Sequence, residues 1–359
     1  MQSIEAIQAL VEKRVGEERR APGLVVGVLT DAGREVVCAG VRRAGSSDPV
    51  ARDTLFEIGS ITKVFTALLL ADASLRGELS LDAAINDFLP APAKAPDVEG
   101  QPIRLVDLAT HSSGLPSFME SAPPFDEGWR DEYGREALLA DVHAFRPTRP
   151  IGAGFRYSNT GYGLLGIALE AATGRTYEAL LRERVLDPLG MTSTAITLTP
   201  ALDARTATPH GAALTPVKRI DVACMASAGA LWSDVDDLMT FAAAVAGMIE
   251  TPLRPAFDLH AHRPPRRPAA AAERAQAGTG HRLAGVRGGR PALSRPRRRH
   301  GRHGHDAAGL SGDARGGGRA RQLRRQPGQP RRRRVQPRSH GGGTAAAGTA
   351  DGYRPRPGD

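Results

Sequence analysis

Large apolar side chains grow scarce, and lysine vanishes, in the last part of this chain. Beyond Phe257 the sequence holds no Phe, Ile, Met, Trp or Lys. A stretch so poor in large apolar residues cannot bury enough surface to offset its ordering entropy, which excludes a second folded core there. From Ala261 to Asp359 there are 24 Arg and 5 acidic residues, a net of +19, so the whole-chain +9 leaves residues 1–260 at −10. The basic balance is therefore a property of the tail and says nothing about partners of the rest. Cysteine is scarce as well. Cys38 and Cys224 are the only two, which excludes a disulfide framework, and both are expected to be small buried hydrophobes. No window approaches the ~18 apolar residues of a membrane span, so no membrane partner is expected. The N-terminus lacks a charged-then-apolar export pattern, which points to a cytoplasmic location. Neither H-x-x-E-H nor C-x-x-C spacing occurs, so no metal or other cofactor is implied.

What is present begins with Ile4, Ile7, Leu10, Val11 and Val15 at helical spacing among charges, a first helix ending near Arg20. Leu24–Leu29 and Glu35–Val41 are β-rich runs joined by a turn with Asp31 and Gly33, a hairpin. The Gly59-Ser60 junction opens a second helix with Val64, Ala67, Leu68 and Ala71 on one face. Residues 85–150 mix Pro-rich loops and short helices. Tyr162–Ala172, stopped by Thr173-Gly174, and Asp234–Ala246 are further helical patterns. Strands first and helices after point to an α+β protein.

The chemistry-bearing residues start with Gly59-Ser60-Ile61-Thr62-Lys63. Ser and Lys three apart on a helix share a face and come within hydrogen-bond reach. A serine at a helix start also has a positive dipole end and free N–H groups for a developing oxyanion. An amine made less basic by desolvation can take the hydroxyl proton. Taken alone, the tetrapeptide fits an N-capping serine and a solvated lysine better than a nucleophile and its base. The second element is Phe155-Arg156-Tyr157-Ser158-Asn159, which precedes a helix. Tyr157 and Asn159, two apart in an extended segment, project to one side. A phenol can relay a proton, and an amide can anchor the lysine and a substrate carbonyl. A buried tyrosine beside a helix-capping asparagine fits the same residues.

Several segments together carry a family resemblance. Leu55-Phe56-Glu57-Ile58-Gly59-Ser60-Ile61-Thr62-Lys63 with Gly77-Glu78-Leu79-Ser80-Leu81-Asp82 and Phe88-Leu89-Pro90 resembles the nucleophile region of the class C β-lactamase-related family. Ile103 to Pro116, including His111-Ser112-Ser113-Gly114, is similar to the loop after that family's nucleophile helix. Tyr157-Ser158-Asn159-Thr160-Gly161 is similar to its Y-x-N region. Asp187-Pro188-Leu189-Gly190-Met191 and Ala228 to Leu238 resemble later signatures. The resemblance implies a β-lactamase/transpeptidase-like α+β fold, an antiparallel sheet flanked by terminal helices plus a helical lobe. It implies Ser60 as acylated nucleophile, Lys63 as base, Tyr157 as acid/base partner and Asn159 as hydrogen-bonding anchor. His111 falls in a structural loop of the family pattern. The expected substrate is a small ester, β-lactam or D-Ala peptide.

The family's third motif, K-T-G or H-x-G on a strand near the C-terminus, has no counterpart. His340-Gly341-Gly342 satisfies H-x-G formally, within a Gly/Ala run. The division expected is therefore a hydrolase domain over 1–255, its sheet incomplete at the C-terminus, and an Arg/Gly/Pro/Ala-rich tail over 256–359. One reading of the tail is a nucleic-acid-binding segment on a non-catalytic scaffold, with R-G-G-like Arg287–Arg290 and Arg315–Arg319. Phosphate neutralisation would use Lys as readily as Arg, however. Arg without Lys is instead the outcome of GC-rich codons read out of frame. With third bases chosen freely, a one-base shift of Pro296–His303 permits His-Asp-Gly-Gly-Thr-Gly-Gly, a family-like third motif. The favoured reading is a frameshift near residues 250–275, no nucleic-acid partner, and impaired activity.

Overall fold

The hairpin forms because Leu24, Val25, Val26, Val28 and Leu29 favour extended backbone and a two-residue turn, Asp31-Ala32, reverses the chain. In the structure, a computed structural model that describes residues 3–123, 133–219 and 223–262, β1 (Gly23–Thr30) pairs antiparallel with β2 (Gly33–Gly40) in the register Thr30↔Gly33 to Gly23↔Gly40. All described residues belong to a contact unit spanning Met1–Leu283; the tail from 263 onward lies outside them. A second pair joins β3 (Phe56–Glu57) to β4 (Trp232–Ser233). It ties the segment before Ser60 to a part of the chain about 175 residues later.

Helix α1 (Ile4–Gly16) is capped by the Ser3 hydroxyl and packs against β2 with Val11 buried. It stops four residues short of the expected end near Arg20, because Glu17-Glu18-Arg19-Arg20 offers no apolar face and Arg19 turns to a φ of +48°. Helix α2 (Thr62–Leu75) comes directly after the Ser60 turn and is buried nearly all round, as its Phe65-Thr66-Ala67-Leu68-Leu69-Leu70-Ala71 run demands. Short helices α3 (Leu105–Ala109) and α4 (Arg135–Ala144) lead to α5 (Asn159–Thr173), capped by Ser158 and ended by Gly174 in the left-handed region. Then come α6 (Tyr177–Leu181), α7 (Asp187–Leu189), α8 (Pro200–Asp203) and α9 (Ala226–Gly229).

Helix α10 (Val235–Ala246), capped by Asp234, lies on β1 where Gly27 leaves room. A Cβ at Gly27 would meet Val235 and Met239 at 2.7–2.8 Å. Helix α11 (Arg254–His262) crosses the expected 255/256 boundary and packs on α2, with Ala256 and Phe257 buried. Phe257 meets Phe241 edge-on at 5.7 Å, and Phe241 stacks on Phe65 at 4.1 Å. The architecture is thus α+β, a hairpin between α1 and α10 and a helical part built round α2 and α5. Both cysteines are free, and both are half-buried rather than fully buried; Cys38 lies on a strand of a sheet that has two strands among the described residues.

Candidate active site

Ser60 sits in a single 3-10 turn, Gly59–Ile61, that runs straight into α2. Gly59 carries a φ of +51°, a conformation that costs a residue with a Cβ and so favours glycine. The turn leaves Ser60 exposed while the next turn is buried: Thr62 and Thr66 are fully buried, and Lys63 is 5 % exposed. Lys63 and Ser60 are three residues apart on the same face, and Lys63 Nζ donates to Ser60 Oγ at 3.2 Å.

The other two acceptors of that ammonium come from distant segments. Asn159 Oδ1 accepts at 2.7 Å and the Ala228 carbonyl at 2.5 Å. Three donors meet three acceptors, so burial does not orphan the charge. Burial nonetheless pulls the Lys63 amine below the ordinary lysine range, while the Tyr157 phenol beside it pulls the other way. Tyr157 Oη donates to Ser60 Oγ at 2.6 Å, and Lys63 Nζ lies 4.9 Å from the Tyr157 ring centre. Of the four residues singled out in the sequence, Lys63 and Tyr157 thus meet at Ser60 Oγ, and Asn159 joins them through Lys63.

Tyr157 and Asn159 reach the site because the segment 156–160 is bonded along its length to the loop 111–117. The Arg156 N–H donates to the His111 carbonyl at 2.8 Å, and the Ser158 N–H to His111 Nδ1 at 3.1 Å. The Ser158 hydroxyl donates to the Pro116 carbonyl, and its oxygen accepts from the Gly161 N–H to cap α5. The Asn159 and Thr160 N–H groups both donate to the Ser117 carbonyl. Asn159 Nδ2 donates to Ser117 Oγ at 3.1 Å, which aims Oδ1 at Lys63. The extended stretch ends at Ser158, so Asn159 is the first helical residue and Ser158 the cap.

Ser117 and Ala228 were not visible from the sequence as site residues. Ser117 acts through a hydroxyl inside a Gly/Pro-rich loop, and Ala228 contributes a backbone oxygen, for which no side-chain signal exists. Ala228 is held by close packing of α9 on α5. A Cβ at Gly166 would sit 2.4 Å from Ser227 Oγ, and Ser227 Oγ donates to the Tyr162 carbonyl at 2.8 Å. Thr66 Oγ1 bonds both the Ser227 carbonyl and Tyr177 Oη at 2.7 Å. Burial raises the Tyr177 and Tyr162 phenols, Tyr162 to about 12, so both stay neutral partners. His111 is held neutral: burial, aided by the Lys63 charge, lowers it to about 4. Among the described residues no group of three His, Cys, Asp or Glu could hold a metal, and no helix is long and apolar enough to cross a membrane.

Solved structures share this arrangement of elements. A class C β-lactamase from Rhodobacter sphaeroides aligns at a TM-score of 0.60 and 29% identity over 70% of this chain and 69% of its own. A β-lactamase from Sulfitobacter sp. EE-36 aligns at 0.60 and 28% identity over 72% and 69%. Among curated relatives, the D-alanyl-D-alanine-carboxypeptidase/endopeptidase AmpH of Escherichia coli (strain K12) is 30% identical over 184 residues, 50% of this chain and 46% of that protein. Penicillin-binding protein 4 of Amycolatopsis lactamdurans is 30% identical over 195 residues, 54% of this chain and 49% of that protein. The chain thus spans about half the length of the curated relatives it matches. A family model described as Beta-lactamase matches residues 6–321. By fold and by sequence, the chain belongs to the β-lactamase family.

Proposed function

We propose that the chain is a serine hydrolase that works through an acyl-enzyme on Ser60. The observation that carries this reading is one oxygen, Ser60 Oγ, held between an amine at 3.2 Å and a phenol at 2.6 Å. When Lys63 is neutral it keeps two N–H bonds, and Asn159 Oδ1 and the Ala228 carbonyl are acceptors only. Its lone pair therefore faces Ser60, the one neighbour of the three with a proton to give. Desolvation keeps that neutral form within reach. As Ser60 Oγ bonds the carbonyl carbon, its proton passes to Lys63. When the tetrahedral species collapses and the carbonyl re-forms, Tyr157 protonates the leaving group and is reprotonated through Lys63. Water then resolves the acyl-enzyme by the reverse relay. The Ser60 N–H, which makes no hydrogen bond among the described residues, stabilises the oxyanion.

The substrates that fit are small esters, β-lactams and D-Ala peptides, the last two being the classes named for the β-lactamases and AmpH among the relatives. Ile61, the chain neighbour of Ser60 and 47 % exposed, offers apolar surface for the acyl part. Turnover is expected to be slow. The out-of-frame reading of the tail, which lies outside the described residues, removes the strand that would carry a second oxyanion donor. Loss of one such donor costs about 10²–10³ in rate. Hydrolysis of p-nitrophenyl esters and of nitrocefin by the purified chain tests the reading. Slow release abolished by Ser60→Ala is expected with at least one of them. Equal rates for the Ser60→Ala variant would sink it.

A further inference from the structure

His111 is a titratable side chain that the proposed mechanism does not use, yet it touches that mechanism on three sides. Its carbonyl accepts from the Arg156 N–H at 2.8 Å and its Nδ1 accepts from the Ser158 N–H at 3.1 Å, so the residues before and after Tyr157 are both bonded to it. Its ring lies against the Tyr157 ring, with centres 4.7 Å apart and planes tilted by 34°. Phe155 meets the same imidazole edge-on at 5.3 Å, and Tyr162 lies at 5.1 Å on another side. Tyr162 is itself fixed, by its bond to the Ala109 carbonyl at 2.9 Å. The His111 backbone sits at a φ of +57°, a left-handed conformation uncommon outside Gly, although Asn, Asp and His adopt it several-fold more often than other residues. Strain of this kind persists only where the surroundings over-determine it.

We propose that His111 is the positioning residue of Tyr157. It bonds the backbone on both sides of the tyrosine and supports its ring, so that the phenol oxygen is held 2.6 Å from Ser60 Oγ. Tyr157 needs such support because its side chain is 37 % exposed and lies at the mouth of the site rather than in the core. Only a neutral imidazole with its proton on Nε2 can accept from Ser158. Burial of the ring and the nearby Lys63 charge both favour that neutral form. His111 moves no proton in this role and is not a catalytic residue.

This inference rests on the acyl-enzyme reading for its kinetic consequence and stands apart from it in its structural one. Two substitutions separate the parts. His111→Ala removes both the Nδ1 acceptor and the ring. His111→Asn places an amide oxygen where Nδ1 stood and tolerates the positive φ. On the full chain, the rate of p-nitrophenol release and the 13C spectrum of ring-labelled tyrosine are recorded together. The Tyr157 signal is identified by its loss in Tyr157→Phe. For His111→Ala the expected result is a fall of about 10²-fold in kcat at little-changed KM, the cost of an ångström of misplacement. The Tyr157 signal is expected to move to the free-tyrosine position. For His111→Asn most of the rate and the native signal return. A Tyr157 signal and rate unchanged in a folded His111→Ala would overturn the proposal. So would a native signal in His111→Ala beside a lost rate, which would mark His111 as a chemical participant. If the wild-type chain releases no p-nitrophenol, the acyl-enzyme reading fails while the tyrosine spectra still decide the positioning. If His111→Ala does not fold, His111→Asn decides: loss of the native Tyr157 signal there refutes the inference.

Discussion

Replacing Phe257 by alanine should unfold the helical part of this chain far more readily than its place near the end of the described residues suggests. Phe257 is 6 % exposed and meets Phe241 edge-on at 5.7 Å. Phe241 in turn stacks on Phe65, two residues after Lys63 on α2. Burial of the ring contributes roughly 1.5–3 kcal/mol, and its aromatic contact adds about 0.5–1.5 kcal/mol. The Arg254 guanidinium, 5.5 Å from the ring centre, adds about 0.5 kcal/mol at a half-exposed site. Together these reach roughly 2.5–5 kcal/mol, which overlaps the ~3–5 kcal/mol usual for Phe→Ala in a core. Against a total stability of about 5–15 kcal/mol, that is a large fraction. Urea unfolding followed by circular dichroism reads it as a lower midpoint at unchanged slope, with Phe257→Leu losing much less. A loss below about 1 kcal/mol would refute the docking of α11 on α2, since a core Phe→Ala costs several times that.

Three further outcomes concern the site itself. Asn159→Leu removes one acceptor from the Lys63 ammonium, so the amine should fall further below the ordinary lysine range. A base works when neutral, so the acid limb of the acylation pH profile should move to lower pH while the plateau drops; an upward move would contradict the assignment. Gly166→Ala forces a methyl against Ser227 Oγ, which should cost about 1–3 kcal/mol by overpacking and weaken acylation by shifting the Ala228 carbonyl; calorimetry and the ester assay read the two effects. His111 is lowered to about 4 when folded, so protonation favours the unfolded chain. Stability should be fully present above about pH 6.5, the ordinary histidine value, and fall as pH drops toward 4, a dependence that urea titrations should find missing in His111→Asn.

Much of the site was legible because its chemistry is local. Ser60 and Lys63 share a helical face by spacing alone, and Tyr157 and Asn159 share a side of one short segment. The hairpin comes from its β-branched runs and α10 begins beside Asp234, where its helical pattern starts, whereas α5 begins at Asn159, three residues before the pattern read from Tyr162, with Ser158 as its cap. The parts that stayed hidden are non-local or carry no side-chain signal. The Ala228 carbonyl and the loop 111–117 that carries Ser117 meet the site only through tertiary packing. The pairing of Phe56 with Ser233 joins two-residue strands too short to show a period. Helix α11 was obscured by proximity to the Arg-rich composition, although Leu253, Ala256 and Phe257 carry a buried face. Sequencing the gene through codons 245–300 tests the out-of-frame reading of the tail; an uninterrupted frame would refute it.

The most direct test is to quench the chain with a p-nitrophenyl ester still in excess and map the adduct by peptide mass spectrometry. A single acyl group on the peptide containing Ser60 is expected, absent from Ser60→Ala and much reduced in Lys63→Met. An acyl group on another residue, or one that persists when Ser60 is replaced, would contradict the central claim.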